Sequence, residues 1–333
     1  MIVIDKEMNS TIVDCCPCSK RTETTKTTFE DSYRIENRIH SGAYGTVYRV
    51  TSLLVPPHLS KSYAVKIIPR QRLKPTEEED VLKEVAVMRD LANVAHVCKL
   101  VDFFVEPDTF YIVQELAMGG DLFDLVANGN LYSESEARTL ANNLLKALQE
   151  IHSRGIVHRD LKPENILIAN ARKKTAVLLA DFGFATHLPE EGYLTRRCGT
   201  HGFIAPEVVR RLPYNQSADL FGLGCILFYC ICGLLPFFSD NKTQSFAKVC
   251  SGDFDFRSFH WNTVSVPAKQ FLMGLLAVDP RQRWTVEQAL ESTWIKEGLT
   301  DALFGTIDWK PNRCHGNDLG QSMLFNFQAA NLG

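Results

Sequence analysis

The sequence predicts an α+β chain of two lobes, a small antiparallel β-sheet carrying one helix followed by a larger, mainly α-helical lobe. Three observations predict it. From Tyr33 to about Val113, β-branched and aromatic runs (TVYRV, SYAVKII, FYIVQEL) are separated by turns and surround a single helical stretch, EEEDVLKEVAVMRDLA. From Gly119 onward the pattern turns helical. The chain has 333 residues, of which 45% are apolar, enough for one domain of two lobes.

In chain order, residues 1–31 are polar and Thr-rich (TETTKTT), show neither period 2 nor period 3.6, and read as a flexible leader. The sheet lobe is expected over residues 32–117 and the helical lobe over 118–296. Ser133-Glu134-Ser135-Glu136 opens a long amphipathic helix through Ile151, capped in the Ser-x-x-Glu manner. Leu220 to Phe238 carries no charge over a length that could cross a bilayer. Asp219 stands at its start, and Gly222, Gly224, Gly233 and Pro236 interrupt it, so it reads as a helix buried on all faces and no transmembrane segment is expected. Residues 297–333 form a C-terminal tail with one apolar patch, Met323 to Phe327, and are open to a regulatory role.

The formal net charge is -3, from 36 basic and 39 acidic residues, which argues against a general nucleic-acid binder. The ten cysteines are spread along the chain, several within apolar stretches where a thiol behaves as a small hydrophobe. A cytoplasmic location follows as the expectation, with the nucleus also open. Cys15, Cys16 and Cys18 lack the paired spacing of a zinc site, and membrane association through their acylation is the minor alternative. No basic-then-apolar leader begins the chain, and its second residue is Ile2, so neither secretion nor myristoylation is indicated.

The chemistry is concentrated in His158-Arg159-Asp160-Leu161-Lys162-Pro163-Glu164-Asn165 and in Asp181-Phe182-Gly183. These bring together one proton acceptor and two side chains able to hold a divalent metal. Phosphoryl transfer needs that apparatus, since it asks for positioning and charge neutralisation more than covalent work. With this set of residues the chain resembles the eukaryotic-type serine/threonine protein kinases over Tyr33 to Ile295. The resemblance implies the bilobal protein kinase fold, ATP and Mg²⁺ as cofactors, and protein substrates.

It also implies roles residue by residue. The segment His40 to Val47 sits where the family has G-x-G-x-x-G-x-V, with His40 in place of the first glycine and Gly42 and Gly45 retained. Lys66, in an apolar strand, would contact the α- and β-phosphates and pair with Glu84. Val47, Ala64 and Leu167 would enclose the adenine, and the backbone of Glu115 and Ala117 would hydrogen-bond its edge behind the polar Gln114. Asp160 would orient the substrate hydroxyl, Lys162 would neutralise the transferring group, and Asn165 with Asp181 would hold Mg²⁺. Thr200, in Cys198-Gly199-Thr200, would link the base and Lys162, as in serine/threonine kinases. Glu207 of Ala205-Pro206-Glu207 is expected to pair with Arg283, and His158 to pack under Phe182 in a stack reaching Met88 and Leu100. The alternative is a pseudokinase scaffold or binding module, which His40 favours and the full set of catalytic residues opposes.

Gly119 to Asp124 together with Lys162 to Asn165 is similar to the calcium/calmodulin-dependent kinase group, which implies substrates with Arg or Lys near the acceptor, received by Asp121 and Glu164. Arg159 implies an activation-loop phosphate, and Tyr193 and Thr195 are the acceptors available, Thr195 being the site for an upstream kinase. Against this, Arg196 stands where relatives often carry the phosphorylated threonine, and Glu190-Glu191 could supply negative charge directly. Met323 to Leu332 resembles the start of the inhibitory helix of calcium-regulated kinases, but it has no Lys or Arg, so calmodulin binding is not supported. No EF-hand loop occurs in the sequence.

Overall fold

A computed structural model describes residues 27–42, 45–56 and 61–297. The Cys15–Cys18 cluster, most of the expected leader and nearly all of the tail lie outside the described residues. Five strands form one antiparallel sheet in the order β1-β2-β3-β5-β4: β1 (Tyr33–Ser41), β2 (Thr46–Ser52), β3 (Ser62–Pro69), β4 (Leu100–Val105) and β5 (Thr109–Glu115). One helix, α2 (Pro75–Asp90), covers a face of it. Its first turn is closed by the Glu77 carboxylate, which accepts the Lys74 backbone N–H at 2.7 Å. Val81, Glu84, Val85 and Met88 point inward from it.

The expected leader ends earlier than residue 31. Phe29 begins a short helix, α1 (Phe29–Ser32), and is only 1% exposed because its ring stacks on Tyr111 at 4.2 Å between centroids. Burying an aromatic ring of that size is worth roughly 1.5–3 kcal/mol, enough to order the short segment that carries it. Phe29 joins Tyr33, Val50, Val65 and Val113 in a core on the outer face of the sheet.

The second lobe begins with α3 (Leu122–Ala127) and α4 (Glu134–Ser153). The expected cap of α4 is present: Ser133 Oγ accepts the Glu136 N–H, and the Glu136 carboxylate accepts the Ser133 N–H at 2.8 Å. Two short antiparallel pairs follow, β6 (Ile156–Val157) with β9 (Thr186–His187), and β7 (Ile166–Ile168) with β8 (Val177–Leu179). Helices α5 (Pro206–Val209), α6 (Ser217–Cys232), α7 (Lys242–Ser251), α8 (Val266–Leu275) and α9 (Val286–Leu290) complete the lobe.

Every residue of α6 from Asp219 to Cys232 is buried, and Gly233 stops the helix at φ +74°. At Gly224 a Cβ would lie 2.8 Å from Leu276, so glycine there lets the segment after α8 close against α6. No described helix is long and apolar enough to cross a membrane. Arg283 and Glu207, both at most 3% exposed, form a bidentate pair at 2.6 and 2.8 Å.

Candidate active site

The base of the site is set by Asp219, the first charge of α6. Its carboxylate accepts the backbone N–H groups of His158 and Arg159, each at 2.9 Å, and lies 2.9 Å from His152 Nε2. Burial opposes ionisation of Asp219, but the contacts from His152 and His158 outweigh it and hold its pKa below the ordinary carboxyl value. Arg159 takes φ +70° and Asp181 φ +59°, left-handed conformations that cost a non-glycine residue on the order of 1–3 kcal/mol. Arg159 is held in that conformation from a second direction, its Nε donating to the Phe184 carbonyl at 2.5 Å.

On this frame the catalytic loop places Asp160, only 3% exposed. Thr200 Oγ1 donates to Asp160 Oδ1 at 2.7 Å, Lys162 Nζ lies 3.0 Å from Asp160 Oδ2, and Lys162 Nζ reaches Thr200 Oγ1 at 3.1 Å. Asn165 Nδ2 donates to the Asp160 carbonyl at 2.9 Å. Burial weakens the Lys162 ammonium, yet Asp160 more than compensates and its pKa is raised. Seven of the expected residues thus gather in two groups, Asp160, Lys162, Thr200 and Asn165 in the first and Lys66, Glu84 and Asp181 in the second. Lys66 Nζ bridges Glu84 Oε1 at 2.8 Å and Asp181 Oδ1 at 3.3 Å. Burial again opposes the ammonium, while Asp181 and Glu84 together raise the Lys66 pKa above the ordinary lysine value. In turn Lys66 lowers the Asp181 pKa against the effect of burial. Glu84 is 5% exposed and aimed at the lysine rather than at solvent.

Gly183 leaves the room this requires, since a Cβ there would stand 3.3 Å from Asp181 Oδ1 and 3.4 Å from Glu84 Oε2. His158 packs against Phe182 with ring centroids 5.1 Å apart, as expected.

The strand pairing brings the nucleotide-side residues together. Val47 faces Lys66 across β2 and β3, and Ala64 faces Gln114 across β3 and β5. The Glu115 N–H is taken by the Lys99 carbonyl at 3.0 Å. Leu167, on β7, bridges to Asp121. Ala117 stands between β5 and the turn in which Gly119 N–H donates to the Ile168 carbonyl at 2.9 Å. In the Gly-rich turn, Gly42 N–H donates to the Gly45 carbonyl at 2.9 Å. A Cβ at Gly45 would lie 2.4 Å from the Ile67 carbonyl oxygen, so no other residue fits without movement of β3. His40 pairs with Val47 inside β1 at a negative φ. The backbone there does not require the glycine that His40 replaces. Ala43 and Tyr44 lie outside the described residues.

A protein kinase domain model matches residues 33–295, which is most of the chain. The chain belongs to the protein kinase family. The kinase is 34% identical over 266 residues to calcium/calmodulin-dependent protein kinase type 1 of Macrobrachium nipponense, covering 80% of this chain and 75% of that protein. It is 33% identical over 282 residues to the type 1 enzyme of Caenorhabditis elegans, covering 84% of this chain and 79% of the relative. Against the human type 1B enzyme the identity is 35% over 263 residues, covering 79% and 75%. It is a serine/threonine protein kinase close to the calcium/calmodulin-dependent group, and its domain implies the use of ATP.

Two members of the kinase's site were not picked out from sequence. In the sequence Asp219 stands out only as the charge that opens an uncharged run, although a carboxylate at the mouth of a buried helix must find donors. Tyr214 ties the activation segment down: its hydroxyl donates to the Arg196 carbonyl at 2.7 Å, and its backbone exchanges hydrogen bonds with Leu194 at 2.7 and 3.0 Å. A lone tyrosine in a polar loop gives no sequence signal for this.

Proposed function

We propose that the kinase transfers the γ-phosphoryl group of ATP, with Mg²⁺, to Ser or Thr hydroxyls of proteins that carry Arg or Lys near the acceptor. One observation carries this reading: Asp160, Lys162 and Thr200 are mutually bonded at 2.7–3.1 Å around one point. A hydroxyl entering beside Asp160 meets an acceptor for its proton, with a fixed cation next to it for the charge that develops on the transferring group. Lys66, kept charged by Glu84 and Asp181, supplies a second cation for the α- and β-phosphates.

Asn165 and Asp181 fit a divalent cation. Asp181 is held ionised, and the Asn165 amide nitrogen is spent on Asp160, which leaves its oxygen as the ligand atom. No group of three or more His, Cys, Asp or Glu is placed to hold a metal among the described residues, so phosphate oxygens and water are proposed to complete the ligand set. Bound there, Mg²⁺ would neutralise charge on the phosphates.

The preference for basic substrates rests on Asp121 and Glu164. Burial raises both carboxyl pKa values, Asp121 raises that of Glu164 further, and Glu164 Oε2 is buried with no hydrogen-bond partner. Two neighbouring carboxylates, one of them with an unpartnered oxygen, are complementary to a substrate guanidinium. Thr195 is exposed and accessible to an upstream kinase, while Arg196 already reaches Asp80 of α2 at 3.5 Å. We place the kinase in the cytoplasm because its described cysteines carry free thiols.

The test is phosphate incorporation into a serine peptide bearing arginine, with and without a chelator and against the same peptide with alanine for arginine. Incorporation that requires Mg²⁺ and falls at least tenfold without the arginine supports the reading. Equal rates on both peptides would remove the substrate preference, and chelator-resistant turnover would remove the metal.

A further inference from the structure

Beside the acceptor position lies a polar cluster that phosphoryl transfer does not use. Thr200 is bonded to Asp160, and the next residue, His201, meets the Phe246 ring of α7 edge-on, with centroids 5.1 Å apart at 75°. The Arg197 guanidinium lies over the same Phe246 ring at 5.3 Å. Lys242, the first residue of α7, is close enough to add to the burial that lowers the His201 pKa. His201 Nε2 is shielded from solvent and has no hydrogen-bond partner, and neither Arg197 nor Lys242 is paired with a carboxylate among the described residues.

Two exposed cations beside one aromatic ring, with no carboxylate paired to either among the described residues, have a simple chemical complement. A carboxylate would neutralise the excess positive charge. The cluster is also separate from the acidic pair. Glu164 reaches Asp160 through the loop that carries Lys162, whereas His201 reaches it through Thr200 on the activation segment. A peptide laid across Asp160 therefore meets negative charge from one segment and positive charge from the other.

We propose that Arg197, His201 and Lys242 form an anion-accepting subsite that selects an acidic side chain next to the acceptor, on its far side from the substrate's basic residue. The inference rests on the kinase reading above and narrows its substrates to segments of mixed charge. Arg197 and Lys242 are exposed and supply the charge; His201 packs on the Phe246 ring that also carries Arg197.

Binding tests it without turnover. Fluorescence anisotropy would compare peptides with alanine at the acceptor, arginine on one side, and Glu, Leu or Lys directly on the other, in both chain directions. In at least one direction the Glu peptide should bind about fivefold more tightly than the Lys peptide, the scale of a well-placed exposed ion pair. In Arg197→Glu and in Lys242→Glu the order should reverse, with the Lys peptide regaining affinity. Equal binding of Glu, Leu and Lys peptides, or an unchanged order in both folded variants, would overturn the proposal. Failure of phosphoryl transfer would count against the functional reading and leave this result standing.

Discussion

The backbone N–H of Arg159 donates to Asp219 Oδ1 at 2.9 Å, and Arg159 holds φ at +70°. A buried helix terminus thus keeps the residue before Asp160 in a conformation it would otherwise leave. Asp219→Ala should lower kcat by about a hundredfold, the effect expected when a reacting group shifts by about 1 Å, with little change in ATP affinity. Leaving two buried N–H groups without an acceptor should also cost about 1–3 kcal/mol each in stability. Steady-state kinetics beside a denaturant titration would show this, and an unchanged kcat would disprove the positioning role.

Two glycines of the nucleotide loop should respond differently to the same change. A Cβ at Gly45 meets the Ile67 carbonyl at 2.4 Å, whereas at Gly42 the nearest atom is 3.8 Å away. Gly45→Ala should weaken ATP binding by about tenfold through displacement of β2 from β3, and Gly42→Ala by less than about threefold. Calorimetric titration with ATP reads both; equal losses would contradict the steric account.

The buried pair of Arg283 and Glu207 is structural. Arg283 also donates to the Ala277 and Ser217 carbonyls at 3.0 and 2.9 Å. Glu207→Gln or Arg283→Met should each destabilise by roughly 3–5 kcal/mol, and the double variant by less than the sum of the two. A double-mutant cycle by chemical denaturation gives the coupling, and strict additivity would show that the two do not act as a pair.

The charge on Asp181 has its own pH signature. Lys66 holds the Asp181 pKa below the ordinary carboxyl value. A carboxyl depressed in the folded state contributes stability that is complete above its unfolded pKa and is lost as pH falls through its folded one. The melting temperature of Asp181→Asn should therefore lie below that of the wild type by a constant amount above about pH 5, and the two should converge only under more acidic conditions. A gap that closes near neutral pH would mean that Asp181 is not held ionised by Lys66.

Much of this was readable in the sequence, and the gaps have physical causes. β2, β3 and β5 announce themselves because each carries an apolar run into the core. β1 does not, because it is an edge strand whose only buried residue is Tyr33. Phe29 sits in a polar leader and gives no periodic signal, yet one ring stacked on Tyr111 orders the segment. Within the site, Asp160, Lys162 and Asn165 are close in sequence, so their spacing reveals them. Glu84 lies 18 residues from Lys66, and its role depends on how α2 docks on the sheet. Asp219 lies 60 residues from Arg159, and its role appears only when α6 is threaded beneath the catalytic loop. His40 marks the opposite case, a departure from the family pattern that suggests a defect but falls where the strand needs no glycine.

The central claim is that Asp160, held by Thr200 and Lys162, directs phosphoryl transfer to a hydroxyl. Phosphate incorporation into an arginine-bearing serine peptide, measured for the wild type and Asp160→Asn at saturating Mg-ATP, tests it most directly. Turnover by the wild type that falls by about 10²–10⁴-fold in the variant, with ATP binding retained, is the predicted result. Comparable turnover by the two proteins would contradict it.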